Sequence, residues 1–429
     1  MKIQNVKGSM DYLPEEQLLR NKVISILSKN FENYVYLPVE NTTLCYYDLL
    51  ASKYAGGAEI LKEVYRLNDQ GDRELALRYD LTVPFSKIIA LNKGMNLPFR
   101  RYEIGKVYRA GPVKVGRNRE FYQCDVDVCG IEGQAIEAEL FQMAFNTYQE
   151  LGIDIEIEWN NRKFLSGIIM ECGISEELVS KVILSVDKLA KIGEDGVRRE
   201  LKDYQIDDGQ LDRLFEYFKL DISTLENIHV QNDELKKGIE EIRSLNDILV
   251  KLNLVHAKFT PYLARGLEIY TGTVWEVFDR SSTVTCAIGA GGRYDNIITN
   301  FIHDGSSYPA VGMSFGLVPI VEILKKKEIE RPVLYQLYLI PMGEDSMAKT
   351  LELAQCFRKE NVRVIVEMNS RKVKKCFEWA NKQRIPFVSV IGDEEIRDGK
   401  FMVKDMNLGT SDTYSFDSLE EVISRVRSS

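Results

Sequence analysis

Between residues 16 and 31 apolar side chains recur at Leu18, Leu19, Val23, Ile24, Ile26, Leu27 and Phe31. That spacing follows one face of a helix and predicts one that ends near Asn33. The next segment, 34–40, reads as a strand containing Pro38; a proline has no N–H for the ladder, so it belongs at an edge or a bulge. Further strand-like runs cover 75–81, 102–108 and 120–129, and in the last a period of two puts Gln123, Asp125 and Asp127 on one face. An antiparallel sheet with helices around it is the economical expectation for this first part, to about residue 152.

From about 173 to 255 the pattern becomes Leu, Ile, Lys and Glu at helical spacing, most plainly over 175–192 and 234–252, and predicts a helical insertion. Strand-like runs return at 259–278 and 284–290, with a helix from about 318 to 327, so the helical block splits the sheet in sequence. After Arg331 the order is strand 334–340, helix 346–359, strand 362–368, helix 372–382, strand 387–392 and a last helix from 418. Alternating β and α elements predict a small three-layer domain with a largely parallel sheet. The charged run 325–331 just before Pro332 reads as a hinge.

At 429 residues the chain has room for two to four domains, and with 45% apolar and 28% charged residues it has the composition of a folded globular protein. No apolar run approaches the roughly 18 residues of a membrane span, and no export signal opens the sequence, so the expectation is a soluble, non-membrane protein. Seven cysteines, an odd number widely spread, fit a reducing cytosol better than a disulfide framework. Cys124 and Cys129 have no second pair and no nearby histidine, which is not a zinc pattern; no metal site is expected.

A net charge of −9 argues against general polyanion binding, so any nucleic-acid contact must be local. Two basic patches supply such places. Residues 98–120 hold Arg100, Arg101, Lys106, Arg109, Lys114, Arg117 and Arg119 against two glutamates, and 371–384 hold Arg371, Lys372, Lys374, Lys375, Lys382 and Arg384 against one. A charge run is commonly a solvated face, but two in separate domains of an acidic chain shift that balance. In the first patch a Gly/Pro loop lies between Arg109 and Arg119, a layout that can hold planar guanidinium forks over phosphates. Carboxylates at Asp125 and Asp127 facing such a loop make either a pocket for a zwitterion or an internal salt-bridge network; the residues alone leave both open.

The order of four longer segments goes further. Leu77-Arg78-Tyr79-Asp80-Leu81-Thr82-Val83-Pro84-Phe85, then Val107-Tyr108-Arg109 through Arg119-Glu120-Phe121-Tyr122-Gln123-Cys124-Asp125, then Leu263-Ala264-Arg265-Gly266-Leu267-Glu268-Ile269-Tyr270-Thr271-Gly272, then Gly291-Gly292-Arg293-Tyr294-Asp295 resemble the histidyl-tRNA synthetases with eukaryote-like motifs. The resemblance implies an α+β class II catalytic domain over 1–170 and 256–325, with an antiparallel six-stranded sheet flanked by helices. A helical insertion over 171–255 and a C-terminal α/β anticodon-binding domain over 331–429 complete it. It implies ATP-dependent activation of L-histidine and transfer to tRNA(His), with Mg2+ accompanying ATP, in a cytoplasmic homodimer formed around residues 34–40.

By the same resemblance Arg109 and Arg265 are the catalytic arginines at the α-phosphate of ATP, with Arg117 near the other phosphates. Asp80, Thr82 and Gln123 hold the α-amino group of histidine, Asp127 and Tyr270 its imidazole, and Tyr294 closes the pocket. Arg119 lies near the tRNA acceptor end, and Arg371, Lys372, Lys374 and Lys375 serve tRNA. Arg293 with Asp295, Asp125 at a strand edge, and Glu268 are as open to structural readings as to functional ones. His229, His256 and His303 lie outside all four segments, so no catalytic histidine is expected.

The chain departs from the family at Met10, at Ala110-Gly111, at Ile269 and at Pro319, where the family has its motif 3 arginine. These changes thin the ATP contacts and keep the amino-acid pocket. They leave two other readings beside the ligase, a histidine-sensing regulatory paralogue and a histidyl ligase with a non-tRNA acceptor. The complete-looking C-terminal domain favours the ligase.

Overall fold

The computed structural model of the chain describes residues 2–53, 61–113, 118–225, 230–265, 269–327, 334–343 and 346–427. It divides into two compact units, Met1–Asp11 with Arg20–Ile329, and Tyr12–Leu19 with Glu330–Ser429. In the first the strands are β1 (Leu37–Pro38), β2 (Leu44–Tyr46), β3 (Arg66–Asn68), β4 (Glu74–Leu77), β5 (Phe99–Tyr108), β6 (Glu120–Cys129), β7 (Ile155–Asn161), β8 (Ala257–Phe259), β9 (Thr273–Asp279), β10 (Gly289–Arg293) and β11 (Ala310–Gly316).

Eight of these form one sheet in the order β1-β5-β6-β11-β10-β9-β7-β8. The six strands from β5 to β7 are antiparallel, as the period-two patterns predict, and a short parallel strand is added at each edge. Pro38 does sit at an edge, where its missing N–H leaves no gap in the ladder. The single strand expected over 259–278 is in fact two, β8 and β9, because the chain turns after Thr260-Pro261 and Leu263 N–H bonds back to Thr260 at 2.9 Å. That turn frees the segment carrying Arg265 from the sheet.

Alternation gives the sheet two unlike faces. Tyr102, Val126, Trp275, Val277 and Phe315 point to one side and are buried. Helices Pro14–Asn33 and Ala135–Glu150 cover them, with ring centroids 5.2 Å apart for Phe31–Phe315 and 5.1 Å for Phe141–Trp275. The opposite face is polar. Between β7 and β8 the described chain is helical, from Arg162–Glu171 to Asp233–Lys251, the helical block the sequence predicts.

In the second unit β12 (Leu337–Met342) lies parallel between β13 (Val364–Val366) and β14 (Phe387–Gly392), as expected. An antiparallel pair, β15 (Lys400–Asp405) and β16 (Ser411–Ser415), extends the sheet beyond β14 and was not anticipated. Its signal is short: Phe401, Val403 and Asp405 alternate inward over six residues. Leu337 and Leu339 pack with helices Ser346–Lys359 and Glu420–Arg427, and Tyr338 and Ile340 pack with helix Val373–Lys382, which makes the three layers.

One buried ion pair ties β10 to the helix behind it. Arg293 donates to both oxygens of Glu137 at 2.7 and 2.9 Å and to the carbonyls of Ile131 and Gly133. Asp295 is only a secondary partner at 3.4 Å. Breaking a pair this deep leaves an uncompensated charge, at a cost of roughly 3–5 kcal/mol. Urea unfolding of Arg293→Met should therefore show a loss of about 3 kcal/mol or more, against a smaller loss for Asp295→Asn.

Candidate active site

The polar face of the sheet is built by register. On β5 and β6, Arg101 stands opposite Asp127, Glu103 opposite Asp125 and Gly105 opposite Gln123. On β11 the matching positions are Gly312, Ser314 and Gly316. Three rows of side chains thus cross the sheet, and the middle row continues over Ala290 to Glu276 on β9. A Cβ on Gly312 would come within 2.0 Å of an Asp127 carboxylate oxygen, and one on Gly292 within 2.5 Å of the Tyr270 ring. Glycine at those two positions makes the floor on which Asp127 and Tyr270 lie.

In the first row, Arg101 Nη2 is 2.6 Å from Asp127 Oδ2, and the Tyr294 hydroxyl donates to Asp127 Oδ1. Burial, with the Asp127 charge adding to it, raises the Tyr294 pKa well above its ordinary value, so this hydroxyl is a donor at any working pH. From the third row Gln123 Nε2 reaches into the second, donating to Asp125 at 3.2 Å and lying 3.5 Å from Ser314 Oγ. Asp125 is buried beside Asp127. Burial and that neighbouring charge push its pKa up to about 7, against the pull of Arg101.

A loop after the small sheet of β2, β4 and β3 brings in the remaining groups. Arg78 donates to Glu103 Oε1 at 2.7 Å and to the carbonyls of Asn41 and Lys106, which pins the loop over β5. Asp80 Oδ1 accepts from Val83 N–H at 3.0 Å and so caps the first turn of helix Thr82–Leu91, leaving Thr82 half-buried at its start. Asp80 and Asp125 both act electrostatically on Tyr270.

Two arginines reach the same face. Arg109, just past the end of β5, stacks its guanidinium over Tyr79 at 4.5 Å and Phe121 at 5.1 Å, and donates to the Tyr79 carbonyl at 3.3 Å. Arg265, half-buried, pairs with Glu276 and hydrogen-bonds Tyr270, which favour its charge. The structure therefore gathers Asp80, Gln123, Asp127, Arg265, Tyr270 and Tyr294, with Thr82 and Arg109 adjoining Asp80 and Tyr79. Arg119 stands at the start of β6, its Nε 3.1 Å from the Gly111 carbonyl. Arg117 and residues 266–268 lie outside the described residues. In the second unit Arg371 is 3.0 Å from Glu367 and 5.0 Å from the Trp379 ring centre, while Lys372, Lys374 and Lys375 are exposed.

Comparison with known proteins bears on this layout. A family model described as histidyl-tRNA synthetase matches residues 8–320, and one described as an anticodon binding domain matches 336–426. The chain belongs to the histidyl-tRNA synthetase family. It is 44% identical to histidine–tRNA ligase 1 of Bacillus thuringiensis subsp. konkukian, over 99% of this chain and 100% of that one. It is 42% identical to histidine–tRNA ligase 2 of Shouchella clausii, over 96% and 98%. A crystal structure of histidyl-tRNA synthetase from Nostoc sp. PCC 7120 superposes with a TM-score of 0.86 at 28% identity, covering 99% of each chain.

Within this synthetase, Arg101, Glu103, Arg78 and Ser314 adjoin the gathered residues without having been singled out as site residues from the sequence, and Asp125, left open there, lies among them. Their signal was the period of two: Arg101 and Glu103 share a face of β5 just as Asp125 and Asp127 share one of β6. Asp125 is not at a strand edge; β6 is flanked by β5 and β11. Pro319 stands in the first turn of helix Leu317–Lys326, where a missing N–H costs no hydrogen bond.

Asp125 gives the synthetase a pH signature. Folded, it keeps its proton up to about pH 7, whereas an unfolded chain releases it near 3.8. The folded state then holds more protons between those values, so Asp125's contribution is present at low pH and is lost as pH rises toward 7. Asp125→Asn should remove that loss. Thermal melts are expected to show the variant gaining on the parent from pH 4 to 7 and holding a constant advantage above.

Proposed function

We propose that the polar face of this sheet is where the chain, a histidine–tRNA ligase, joins L-histidine to ATP before passing it to tRNA(His). In the first step the histidine carboxylate attacks the α-phosphate, giving histidyl-adenylate and pyrophosphate. In the second the 3′-terminal adenosine of the tRNA takes the histidyl group and AMP leaves. The reading rests on one observation: the face offers cations at Arg109 and Arg265 and carboxylates at Asp80, Asp125 and Asp127. That is the charge layout a zwitterionic amino acid and a phosphate require together.

Arg109 and Arg265 stabilise charge on the α-phosphate from two sides. Held by Tyr79, Phe121 and Glu276, they need little reorganisation as that charge develops. Asp80, Thr82 and Gln123 take the α-amino group, Asp127 and Tyr270 the two imidazole nitrogens, and Tyr294 closes the pocket. A ring that fails to satisfy those buried groups leaves them unpaired, which is the basis of rejection. Arg117 serves the ATP phosphates by the family resemblance, a role that Pro319, with no cation, cannot fill.

Among the described residues no three His, Cys, Asp or Glu side chains are grouped to hold a metal. Mg2+ accordingly belongs with the triphosphate, whose charge it neutralises. Arg119 guides the acceptor end, and Arg371, Lys372, Lys374 and Lys375 attract the tRNA backbone; Arg371's contacts with Glu367 and Trp379 make the three lysines the main electrostatic term. The helical block 171–255 acts as an inserted domain. A homodimer forms through residues 34–40, where Val35 and Leu37 are exposed apolar groups at the sheet edge, and the protein works in the cytoplasm. Among the described residues no helix is long and apolar enough to cross a membrane.

Histidine-dependent exchange of pyrophosphate into ATP tests the first step directly: exchange is expected with histidine and with none of the other amino acids. Arg265→Ala should slow it by about a hundredfold or more while histidine affinity changes little, because the cation acts on charge that develops in the transition state. In tRNA binding, Lys374→Ala with Lys375→Ala should weaken affinity and reduce the salt slope by about 1 to 2, leaving exchange intact. Unchanged slopes would assign those lysines to a solvated face.

A further inference from the structure

Arg101 is 0% exposed, and its contacts converge on the amino-acid pocket rather than on the apolar core behind the sheet. Its Nη2 forms an ion pair with Asp127 Oδ2 at 2.6 Å and donates to the Leu81 carbonyl at 2.9 Å. Nη1 lies 3.7 Å from Glu103, and the guanidinium sits 4.8 Å from the centre of the Phe85 ring. Leu81 lies between Asp80 and Thr82. One nitrogen thus reaches the residue proposed for the imidazole and the backbone between those proposed for the α-amino group.

We infer that Arg101 is the positioning residue for histidine selection, holding Asp127 in place for the imidazole N–H while fixing the Asp80–Thr82 turn at the other end of the ligand. The inference rests on the histidine-pocket reading above. Its physical basis is a choice between two acids. Asp125 and Asp127 are near neighbours on one face of β6, and two close carboxylates resist ionising together. The cation stands in register with Asp127, 2.6 Å from its Oδ2, and so favours a charge at that position.

The surroundings agree. Burial works against the Arg101 charge, but Asp127, Asp125 and Glu103 outweigh it and leave its pKa above the ordinary arginine value. Asp127 has one oxygen on Arg101 and the other on the Tyr294 hydroxyl, so its orientation is fixed from both sides. Each is a preorganised acceptor geometry that a ring nitrogen bearing hydrogen can use without rearranging the pocket.

The test uses the full chain in histidine-dependent ATP–pyrophosphate exchange, with Arg101→Met, Arg101→Lys and Asp127→Asn, each checked for a cooperative melt. Arg101→Met should raise KM for histidine about tenfold or more, the scale of a lost charged hydrogen bond, with kcat and KM for ATP within about twofold of the parent. Arg101→Lys should recover part of that loss, since an ammonium neutralises Asp127 but lacks the planar fork that also reaches Leu81. If Arg101→Met does not fold, Arg101→Lys alone carries the test, still with a raised KM for histidine only. Folded Arg101 variants with the parental KM for histidine, or with ATP affected equally, would overturn the inference. In that case a raised KM in Asp127→Asn keeps the pocket reading, whereas an unchanged one removes both.

Discussion

Arg101 lies wholly out of water, and a guanidinium in that position costs several kcal/mol unless anions and acceptors surround it. That requirement organises the catalytic unit. Its charge draws Asp127 on β6 and Glu103 on β5 into ion pairs and the Leu81 carbonyl into a hydrogen bond, and Glu103 in turn holds Arg78 and Asn41. A sheet strand, its neighbour and a loop from a separate small sheet are locked together by charges that cannot be left unpaired. Such a network is a poor source of net stability and a strong source of definition: each member has a single low-cost arrangement.

The division of the sheet into an apolar and a polar face makes this network affordable. Behind it, Phe31, Phe141, Trp275 and Phe315 exclude water and supply the hydrophobic stabilisation. In front, the glycines at 292 and 312 remove side chains where Asp127 and Tyr270 need room. The buried charges are concentrated in the rows that run from Arg101 to Asp127 and from Glu103 to Asp125.

The second unit uses a different physics. Its basic stretch is exposed along helix Val373–Lys382, and only Arg371 is committed to partners, on Glu367 and Trp379. Lysines free to move in solvent attract a phosphate backbone by charge, without the geometric precision of the buried network. On the function proposed here, attraction of a large polyanion and selection of a small zwitterion fall to opposite extremes of burial.

Periodicity and residue order determined much of this protein. The spacing of two placed Gln123, Asp125 and Asp127 on one face, the helical spacing found the block inserted between β7 and β8, Pro38 marked an edge, and the ordered motifs named the family. These are local properties, written in neighbouring residues. What sequence alone left open was register and depth. Whether the carboxylates on β6 formed a ligand pocket or a salt-bridge network was undecided, and the structure shows the network, because Arg101 comes into line with Asp127 only when β5 pairs with β6; the pocket is the function proposed for it. Arg293 likewise looked paired with its near neighbour Asp295, yet its main partner is Glu137, 156 residues away. Charge partners in a buried site are chosen by which strands meet and how much water is left, and neither is fixed until the chain has folded.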